Sequence, residues 1–484
     1  MPEQAGLGLI RPTRTALTDV EDPSVEADVD AERCVLRIAA KRAPFQTARE
    51  KTFEKIHRFA CERGLARVAA KQVIVGGTNG KGTTVSYMQQ LLTAMGYRVG
   101  ATTSPHIQDY LERISLDGKQ VAQDDMGRAV NALEADAPSD IGLTYHDITT
   151  LCALTLFKQW KVDVALVEVG LGGRLDCANV LDADVAVLTN VTLDHQTQLG
   201  SSIAEISREK VPIARAQRPL IFAGTEENQV VANYADEHAV KLLRFNREFG
   251  VSDDNFAFFT AIQEHEHEYE RIKRGLRSCS STREGVHVLT NFPLANRSSS
   301  HGIAVTTVLQ TLACLGISRL TNREFGNFQF TRPLGRIDSC SLNSDRVILD
   351  IAHNPAAIKQ LRYELKLRGI DEFIAVFGCQ RDKDVEGMCQ ALFDSSDAAR
   401  AKMDTLILTD TQGERGLKAN QLHKFVLPYE ANCEIAADLE IAMGRAFARA
   451  GHTAMRTVIF GSAELVGRAF DAWRSKSRLE NRQS

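Results

Sequence analysis

A glycine-rich segment with a single lysine is the strongest chemical signal in the chain. Gly76-Gly77-Thr78-Asn79-Gly80-Lys81-Gly82-Thr83-Thr84 follows an apolar run and precedes a stretch with apolar residues at helical spacing. Glycines let backbone N–H groups turn toward phosphate oxygens, and the start of a helix adds positive potential. The Lys81 ammonium can reach the terminal phosphates, and the Thr83 hydroxyl can bind Mg²⁺. The nucleotide-binding residues predicted here are Gly77, Thr78, Asn79, Gly80, Lys81, Gly82 and Thr83.

The spacing of this loop differs from the common phosphate-loop pattern, in which a serine or threonine directly follows the lysine. Here Gly82 separates Lys81 from Thr83. An ordinary glycine-rich turn is one alternative, and the lysine argues against it. A kinase-like or GTPase-like switch protein is another, but the chain has no Asn-Lys-x-Asp guanine-binding signature.

Alternating strand-like and helix-like segments must position this loop. Short apolar runs are typical of parallel strands that are covered on both faces. Those in the first part of the chain occupy residues 72–75, 97–102, 163–167 and 184–188, with a helix at 149–160. A second alternation has strands at 347–349, 373–377, 406–408 and 458–460. The pattern predicts an α/β fold, with a P-loop doubly wound parallel-sheet ATPase domain followed by a smaller Rossmann-like α/β domain.

The domain limits follow from changes in composition. Residues 1–33 are acidic and lack periodicity, which predicts a disordered or loosely docked extension. The ATP-binding domain is expected at 34–330 and the C-terminal domain at 331–484. Residues 252–300 are polar and without a period, and we expect them to form a surface excursion, followed by a helix at 301–315.

Composition excludes several classes of protein. The formal net charge is −4, which argues against a nucleic-acid binder held by bulk charge. None of the ten cysteines forms a Cys-x-x-Cys pair, so neither a zinc site nor a redox motif is indicated. Acidic residues between Asp19 and Glu32 do not fit a signal peptide, and no run reaches the about 18 apolar residues of a membrane helix. We therefore expect a cytoplasmic protein that contacts no membrane.

Further motifs give the loop a family context. They are Thr-Ser-Pro-His at 103–106, Glu-Val-Gly-Leu-Gly-Gly-Arg-Leu-Asp at 168–176, Leu-Asp-His at 193–195, Arg-Glu-Lys at 208–210, Gly-Arg at 335–336, Leu-Asp-Ile-Ala-His-Asn-Pro at 349–355 and Asp-Lys-Asp at 382–384. In sequence and in order along the chain, these motifs resemble those of the folylpolyglutamate/dihydrofolate synthase branch of the Mur ligase superfamily.

The resemblance implies roles for individual residues. Thr83, Ser104, Glu168 and His195 would bind magnesium, at two sites. Lys81, Lys210 and His195 would be catalytic, and Lys210 would be carbamylated by CO₂. The nucleotide contacts outside the loop would be Asn296, Arg336, Asp350 and His353. Val211-Pro212-Ile213 stands where the family usually has Ala-Gly-Ile.

The acid substrate would contact a segment that departs from the usual sequence of the family. Its predicted contacts are Thr144, Tyr145, His146, Asp147, Leu175, Asp176 and Cys177. In the family, Phe and Glu usually stand at the positions of His146 and Asp147. Either the pocket is slightly repacked around the same substrate, or it is adjusted to another acid.

Three functions remain open from the sequence. The first is an ATP-dependent ligase that forms an acyl phosphate on a pteroate or folate carboxylate and adds L-glutamate. The second is a ligase of the same fold that joins another acid to an amino acid. The third is a nucleotide-binding protein without ligase activity, which the retained lysines and metal-binding residue types disfavour. The expected partners are small molecules only, with ATP and Mg²⁺ as cofactors, and the chain is expected to be a monomer.

Overall fold

The computed structural model of the protein describes residues 30–40, 49–138, 140–251, 256–260, 286–293, 299–317, 328–338, 346–429, 433–453 and 455–483. Most of the predicted acidic extension and the predicted nucleotide contact Asn296 lie outside these residues. The first described helix begins at Ala31. Ala31 is fully buried, which ties this end of the helix to the core.

The first sheet has eight strands in the order β4-β3-β2-β5-β1-β6-β7-β8. All neighbouring strands are parallel except β2-β3 and β3-β4, which are antiparallel. The strands are β1 Lys71–Gly76, β2 Val99–Thr102, β3 Ile114–Leu116, β4 Lys119–Gln120, β5 Val164–Glu168, β6 Val185–Leu188, β7 Pro219–Phe222 and β8 Lys241–Arg244. The predicted doubly wound parallel sheet is confirmed, with an antiparallel hairpin at one edge that the apolar runs did not indicate.

Helices cover both faces of this sheet, which explains the continuous apolar runs. Val73 and Val75 of β1 pack in one hydrophobic cluster with α3, whereas Ile74 packs in the other cluster with α5. Successive side chains of a strand point to opposite faces, so both must be apolar when both faces are covered. The helices of this part are α1 Ala31–Ala40, α2 Arg49–Glu62, α3 Lys81–Ala94, α4 Gln123–Asp136, α5 Tyr145–Trp160, α6 Gln196–Leu199, α7 Ile203–Lys210, α8 Gln229–Glu237 and α9 Ser300–Cys314.

Helix α5 begins at Tyr145 and not at the predicted Thr149. The Thr144 hydroxyl accepts the Asp147 N–H at 2.8 Å, and the Asp147 carboxylate accepts the Thr144 N–H at 2.8 Å. This reciprocal cap satisfies two backbone donors and fixes the first turn.

Part of the polar stretch at 252–300 is regular structure. Strands β9 Gly250–Val251, β10 Phe256–Thr260 and β11 Val286–Pro293 form a small antiparallel sheet in the order β11-β10-β9. Ala257 is fully buried and belongs to the cluster that includes Val308 of α9. The prediction of a surface excursion was therefore wrong for β10, because pairing between strands that lie far apart in sequence leaves no local period.

The second sheet has five parallel strands in the order β12-β16-β13-β14-β15. They are β12 Val347–Asp350, β13 Glu372–Phe377, β14 Lys402–Thr409, β15 Cys433–Ala436 and β16 Arg456–Phe460. The helices are α10 Pro355–Leu367, α11 Val385–Phe393, α12 Ala419–Val426, α13 Leu439–His452 and α14 Ala463–Gln483. The predicted Rossmann-like second unit is confirmed, and β15, a half-exposed edge strand, was missed.

No helix in the described part of the chain combines the length and the apolar character that crossing a membrane requires.

Candidate active site

A cavity of about 520 Å³ lies between the two sheets. Its walls include the loops after β1, β2, β5 and β6 of the first sheet and the loop after β12 of the second. Ligands of parallel α/β sheets bind outside the carboxyl ends of the strands, so the cavity has the expected location for a site.

The phosphate loop forms one wall of this cavity. Gly77 has φ +134, and a Cβ there would lie 1.9 Å from the Thr189 hydroxyl, so glycine is required. Gly80 has φ +86 and precedes α3, which begins at Lys81. The Lys81 ammonium donates to the carbonyls of Gly77 and Thr78, both at 3.2 Å. Burial lowers the pKa of Lys81, and the nearby Glu168 carboxylate opposes this shift.

Glu168 is the last residue of β5 and faces the start of α3. One carboxylate oxygen accepts the Ser104 N–H at 3.2 Å, and the same oxygen would lie 3.4 Å from a Cβ at Gly82. Burial raises the pKa of Glu168, and the Lys81 ammonium counteracts this. The structure thus brings Glu168, Ser104 and the phosphate loop together.

His195 lies on the other side of the phosphate loop, directly before α6. Its Nε2 atom lies 3.4 Å from the Lys383 ammonium, which reaches across from the second sheet. Burial lowers the pKa of His195 to about 4, and the charge of Lys383 acts in the same direction. The imidazole is therefore neutral at neutral pH and able to act as a ligand through a ring nitrogen.

Lys210 ends α7 and points into the same cavity. Lys210 is only 4% exposed, and its ammonium donates to the Gly77 carbonyl at 3.0 Å. Burial lowers the pKa of Lys210 to about 7, with a smaller contribution in the same direction from Lys81. A large fraction of neutral amine is therefore present near neutral pH.

Residues of the second sheet line the opposite wall. Arg336, Asp350 and His353 all face the cavity. Asp350 accepts the backbone N–H groups of Ile337 and Ala352, each at 2.8 Å, which holds the loop that carries Arg336. Burial raises the pKa of Asp350 to about 6, while the Arg336 charge opposes the shift.

The residue types that are predicted to bind metal suit magnesium, provided that the phosphate oxygens of a bound nucleotide supply further ligands. Within the described residues, no three His, Cys, Asp or Glu side chains converge as a metal site. Thr83, Ser104 and Glu168 offer oxygen donors on the cavity wall. Magnesium prefers oxygen ligands and is usually bound through one or two carboxylates, phosphates and water. The donor set therefore suits a magnesium ion that is shared with a nucleotide.

Loss of a side chain that is predicted to bind magnesium should raise the magnesium requirement. In Glu168→Gln and in His195→Gln, the magnesium concentration for half-maximal activity should increase by about tenfold or more. The measurement is ADP release against magnesium concentration, with the exposed Glu54→Gln as the matched control. Magnesium curves identical to wild type in both variants would exclude this assignment.

The predicted acid-binding residues lie behind the cavity wall and not on it. Gly170 and Leu171 line the cavity, and Asp176 accepts their N–H groups at 3.1 and 2.9 Å. The His146 ring packs directly behind Gly170, and its Nε2 lies 3.4 Å from Asp176. Asp147 is fully buried and makes a two-pronged ion pair with Arg49 at 2.7 and 2.8 Å.

The remaining predicted acid contacts belong to the same layer. The Tyr145 hydroxyl donates to Glu32 of α1 at 2.6 Å, and the Cys177 thiol donates to the Asp147 carbonyl at 3.7 Å. Thr144 caps α5. Leu175 is half-buried in the loop that precedes Asp176. Their direct contact with an acid substrate stays a prediction.

Sequence reasoning missed three residues that join the two walls. Asp194, Asn354 and Lys383 contact one another or His195 across the cavity. Each stands inside a motif identified from the sequence, but the residues beside them were assigned the chemistry. Only the fold reveals that these separate motifs meet.

Comparison with known proteins agrees with this geometry. Residues 75–296 match the family model "Mur ligase middle domain", and residues 335–463 match "Mur ligase, glutamate ligase domain". The chain is 33% identical to the dihydrofolate synthase/folylpolyglutamate synthase of Escherichia coli K12. That alignment covers 87% of this chain and 92% of the relative.

Solved structures show the same architecture. E. coli FolC in complex with DHPP and ADP superposes with a TM-score of 0.74 at 28% identity, covering 95% of this chain and 100% of that one. A bifunctional folylpolyglutamate synthase/dihydrofolate synthase with Mn, AMPPNP and L-glutamate bound gives 0.72 at 28% identity, covering 93% and 100%. The chain therefore belongs to the dihydrofolate synthase/folylpolyglutamate synthase family, whose members are ATP-dependent ligases that form carbon–nitrogen bonds.

Proposed function

We propose that this protein uses ATP to convert the carboxylate of a pteroate-type or folate-type acid into an acyl phosphate, which then acylates the amine of L-glutamate. The observation that carries the proposal is the shared cavity, in which Lys81 and Lys210 face Arg336 and His353. The relatives with DHPP and ADP, and with AMPPNP and L-glutamate, support the choice of substrates.

The reaction consists of two successive substitutions in the same cavity, the first at phosphorus and the second at the acyl carbon. A carboxylate oxygen of the acid attacks the γ-phosphorus of ATP, and ADP leaves with the electrons of the broken P–O bond. The amine nitrogen of glutamate then attacks the acyl carbon, phosphate leaves, and the amine loses a proton. Lys81 and Arg336 stabilise negative charge on the transferring group, because buried cations act more strongly where water is excluded.

Magnesium supplies charge compensation for the phosphate oxygens when bound. The residues proposed to hold it at two positions are Thr83, Ser104, Glu168 and His195. The nucleotide contacts proposed on the second wall are Arg336, Asp350 and His353, with Asn296 beyond the described residues.

Lys210 is proposed to carry a carbamate. The neutral amine attacks the carbon of CO₂, the C–N bond forms, and a proton leaves to solvent. Its burial and the lowered pKa support this step, because only the neutral amine is nucleophilic. The product replaces a cation by an anion whose oxygens suit a second magnesium.

The experiment that tests the ligase is a release assay for ADP against a panel of acids and amino acids. ADP release that requires both dihydropteroate or a folate and L-glutamate supports the proposal. ADP release with a different acid supports a ligase of the same fold. Nucleotide binding without release under any combination supports the non-catalytic alternative.

The His146–Asp176 pair favours keeping the second of these candidates. Burial alone would lower the pKa of His146, but the Asp176 carboxylate outweighs burial and raises it above the ordinary value. The imidazole is therefore charged below the raised pKa, and the ion pair is lost as pH rises through it. This charge lies directly behind Gly170 of the cavity wall, where a buried cation is less favourable beside an uncharged pterin ring than a phenyl ring would be.

We expect this pair to control the pH dependence of acid binding. For wild type, KM for dihydropteroate should be highest at acid pH and fall as pH rises above about 6.5. His146→Phe should lower KM at acid pH and remove the dependence, as measured by KM from pH 6 to 8. A flat wild-type profile together with an unchanged KM in the variant would show that His146 does not affect the acid.

The neighbouring substitution Asp147→Glu tests the stability of the fold and not substrate binding. Asp147 is fully buried between Arg49 and the helix cap, so an extra methylene has no room. We expect its thermal unfolding midpoint to fall, whereas that of His146→Phe should change little.

We also propose that residues 34–330 bind the nucleotide, that residues 331–484 serve as the glutamate-ligase unit, and that the protein works as a monomer. One chain supplies both walls of the cavity, which supports a monomeric enzyme.

A further inference from the structure

Asp194 makes a cluster of polar contacts between the two sheets. It follows β6 of the first sheet, and its side chain is 7% exposed. One carboxylate oxygen accepts the Lys383 ammonium at 2.9 Å. The other accepts the Asn354 amide at 3.1 Å and lies 3.4 Å from Nε2 of His353.

All three partners of Asp194 come from the second sheet. His353 and Asn354 follow β12, and Lys383 follows β13. Lys383 is also 7% exposed, so the ion pair is shielded from water. A relative movement of the two sheets would break every one of these contacts at once, since Asp194 would remain with the first sheet.

The same contact reaches the phosphate loop through an amide pair. The Asn354 amide donates to the Asn79 side-chain oxygen at 2.9 Å, and the Asn79 amide donates back to Asn354 at 3.2 Å. Asn79 is itself held by the first sheet, because its backbone N–H donates to Asn190 at 2.9 Å. Asn354 therefore joins Asp194 to the loop that would bind ATP.

We propose that Asp194 is a positioning residue that docks the second sheet onto the phosphate loop, with Lys383 as its ionic partner. The proposal rests on the proposed ATP-dependent reaction for its effect on turnover, but not for its effect on the arrangement of the two sheets. Asp194 acts through His353, Asn354 and His195, whose positions it and Lys383 fix.

Burial explains why this contact selects the docked arrangement. A carboxylate and an ammonium that are both shielded from water depend on each other, and either one left alone is unfavourable. When the sheets separate, both groups regain water. The pair therefore adds little to the folding of either unit and acts mainly on their relative placement.

The test is a double-mutant cycle with Asp194→Asn, Lys383→Met and the combination. Each single variant should lower kcat/KM for ATP by about tenfold or more, the scale of one charge-assisted hydrogen bond. The double variant should be no less active than the less active single variant, because both changes remove the same Asp194–Lys383 ion pair. Lys366→Met is the matched control, since Lys366 pairs with Asp371 on the exposed surface of the second unit.

A second measurement reports the arrangement without catalysis. Small-angle scattering with saturating ADP should give a larger radius of gyration for Asp194→Asn and for Lys383→Met than for wild type. The thermal unfolding midpoints should stay close to wild type, which separates docking from a general loss of structure.

The outcomes distinguish this inference from its alternatives. A large loss in Asp194→Asn with wild-type behaviour of Lys383→Met would overturn it, since Asp194 would then act on the substrate or metal itself. Additive losses in the double variant would also overturn it. If wild type releases no ADP with any acid, the proposed function fails, and the scattering comparison still decides whether Asp194 docks the sheets.

Discussion

Lys81→Ala is expected to lose ATP turnover almost completely and to keep the fold. The ammonium is the one side-chain cation that the phosphate loop itself contributes, and it lies among the loop carbonyls at the start of α3. Removing a group that stabilises developing charge typically costs about 100-fold or more in kcat. Alanine is a good helix former, so α3 should still begin at this position. The measurement is ADP release at saturating acid and glutamate.

A matched control is Lys51→Ala, because Lys51 is exposed on α2 and lies outside the cavity lining. Its turnover and its circular dichroism should equal wild type. Turnover of Lys81→Ala within a few-fold of wild type would mean that the segment at 76–84 is not the site of phosphate transfer.

Lys210→Ala is expected to have the second-largest effect. The variant removes both the amine and its proposed carbamate, so ligation should fall by about 100-fold or more, the scale of losing one preorganised charged group. Added bicarbonate should not restore activity, because no amine remains to take up CO₂. Lys210→Glu should recover part of the activity, since it places a fixed carboxylate near the same point.

Arg208→Ala provides the comparison on the same helix. Arg208 is exposed, whereas Lys210, two residues further along α7, is buried. If Lys210→Ala kept wild-type activity, as Arg208→Ala should, the carbamate would have no part in the mechanism. A mass increase that matches one carboxyl group on Lys210 in wild type, and its absence in Lys210→Ala, would support it independently of turnover.

The parts of the fold that the sequence predicted are those with local signals. Strands buried on both faces read as apolar runs, and the runs at 72–75 and 184–188 became β1 and β6. The small sheet of β9, β10 and β11 was missed because its pairing joins residues far apart in the chain. The early start of α5 was missed because it depends on the Thr144–Asp147 cap, and both residues were first considered for substrate binding.

The same distinction holds for the site. The phosphate loop, Glu168 and Lys210 were recognisable because each occurs in a characteristic motif, and the fold brings them to one cavity. The burial of Asp147 was not recognisable, because its partner Arg49 is distant in sequence and belongs to α2. Nor could the sequence show that Asp194 contacts Lys383, since a charge pair across two sheets leaves no trace in spacing.

The contacts of Asp194 also carry a consequence for the speed of the enzyme. The contacts that hold the two sheets together around the cavity must break before ADP and the lengthened product can leave. Opening of the cavity can therefore limit the rate of turnover. Variants that strengthen these contacts would release products more slowly and would therefore have a lower kcat.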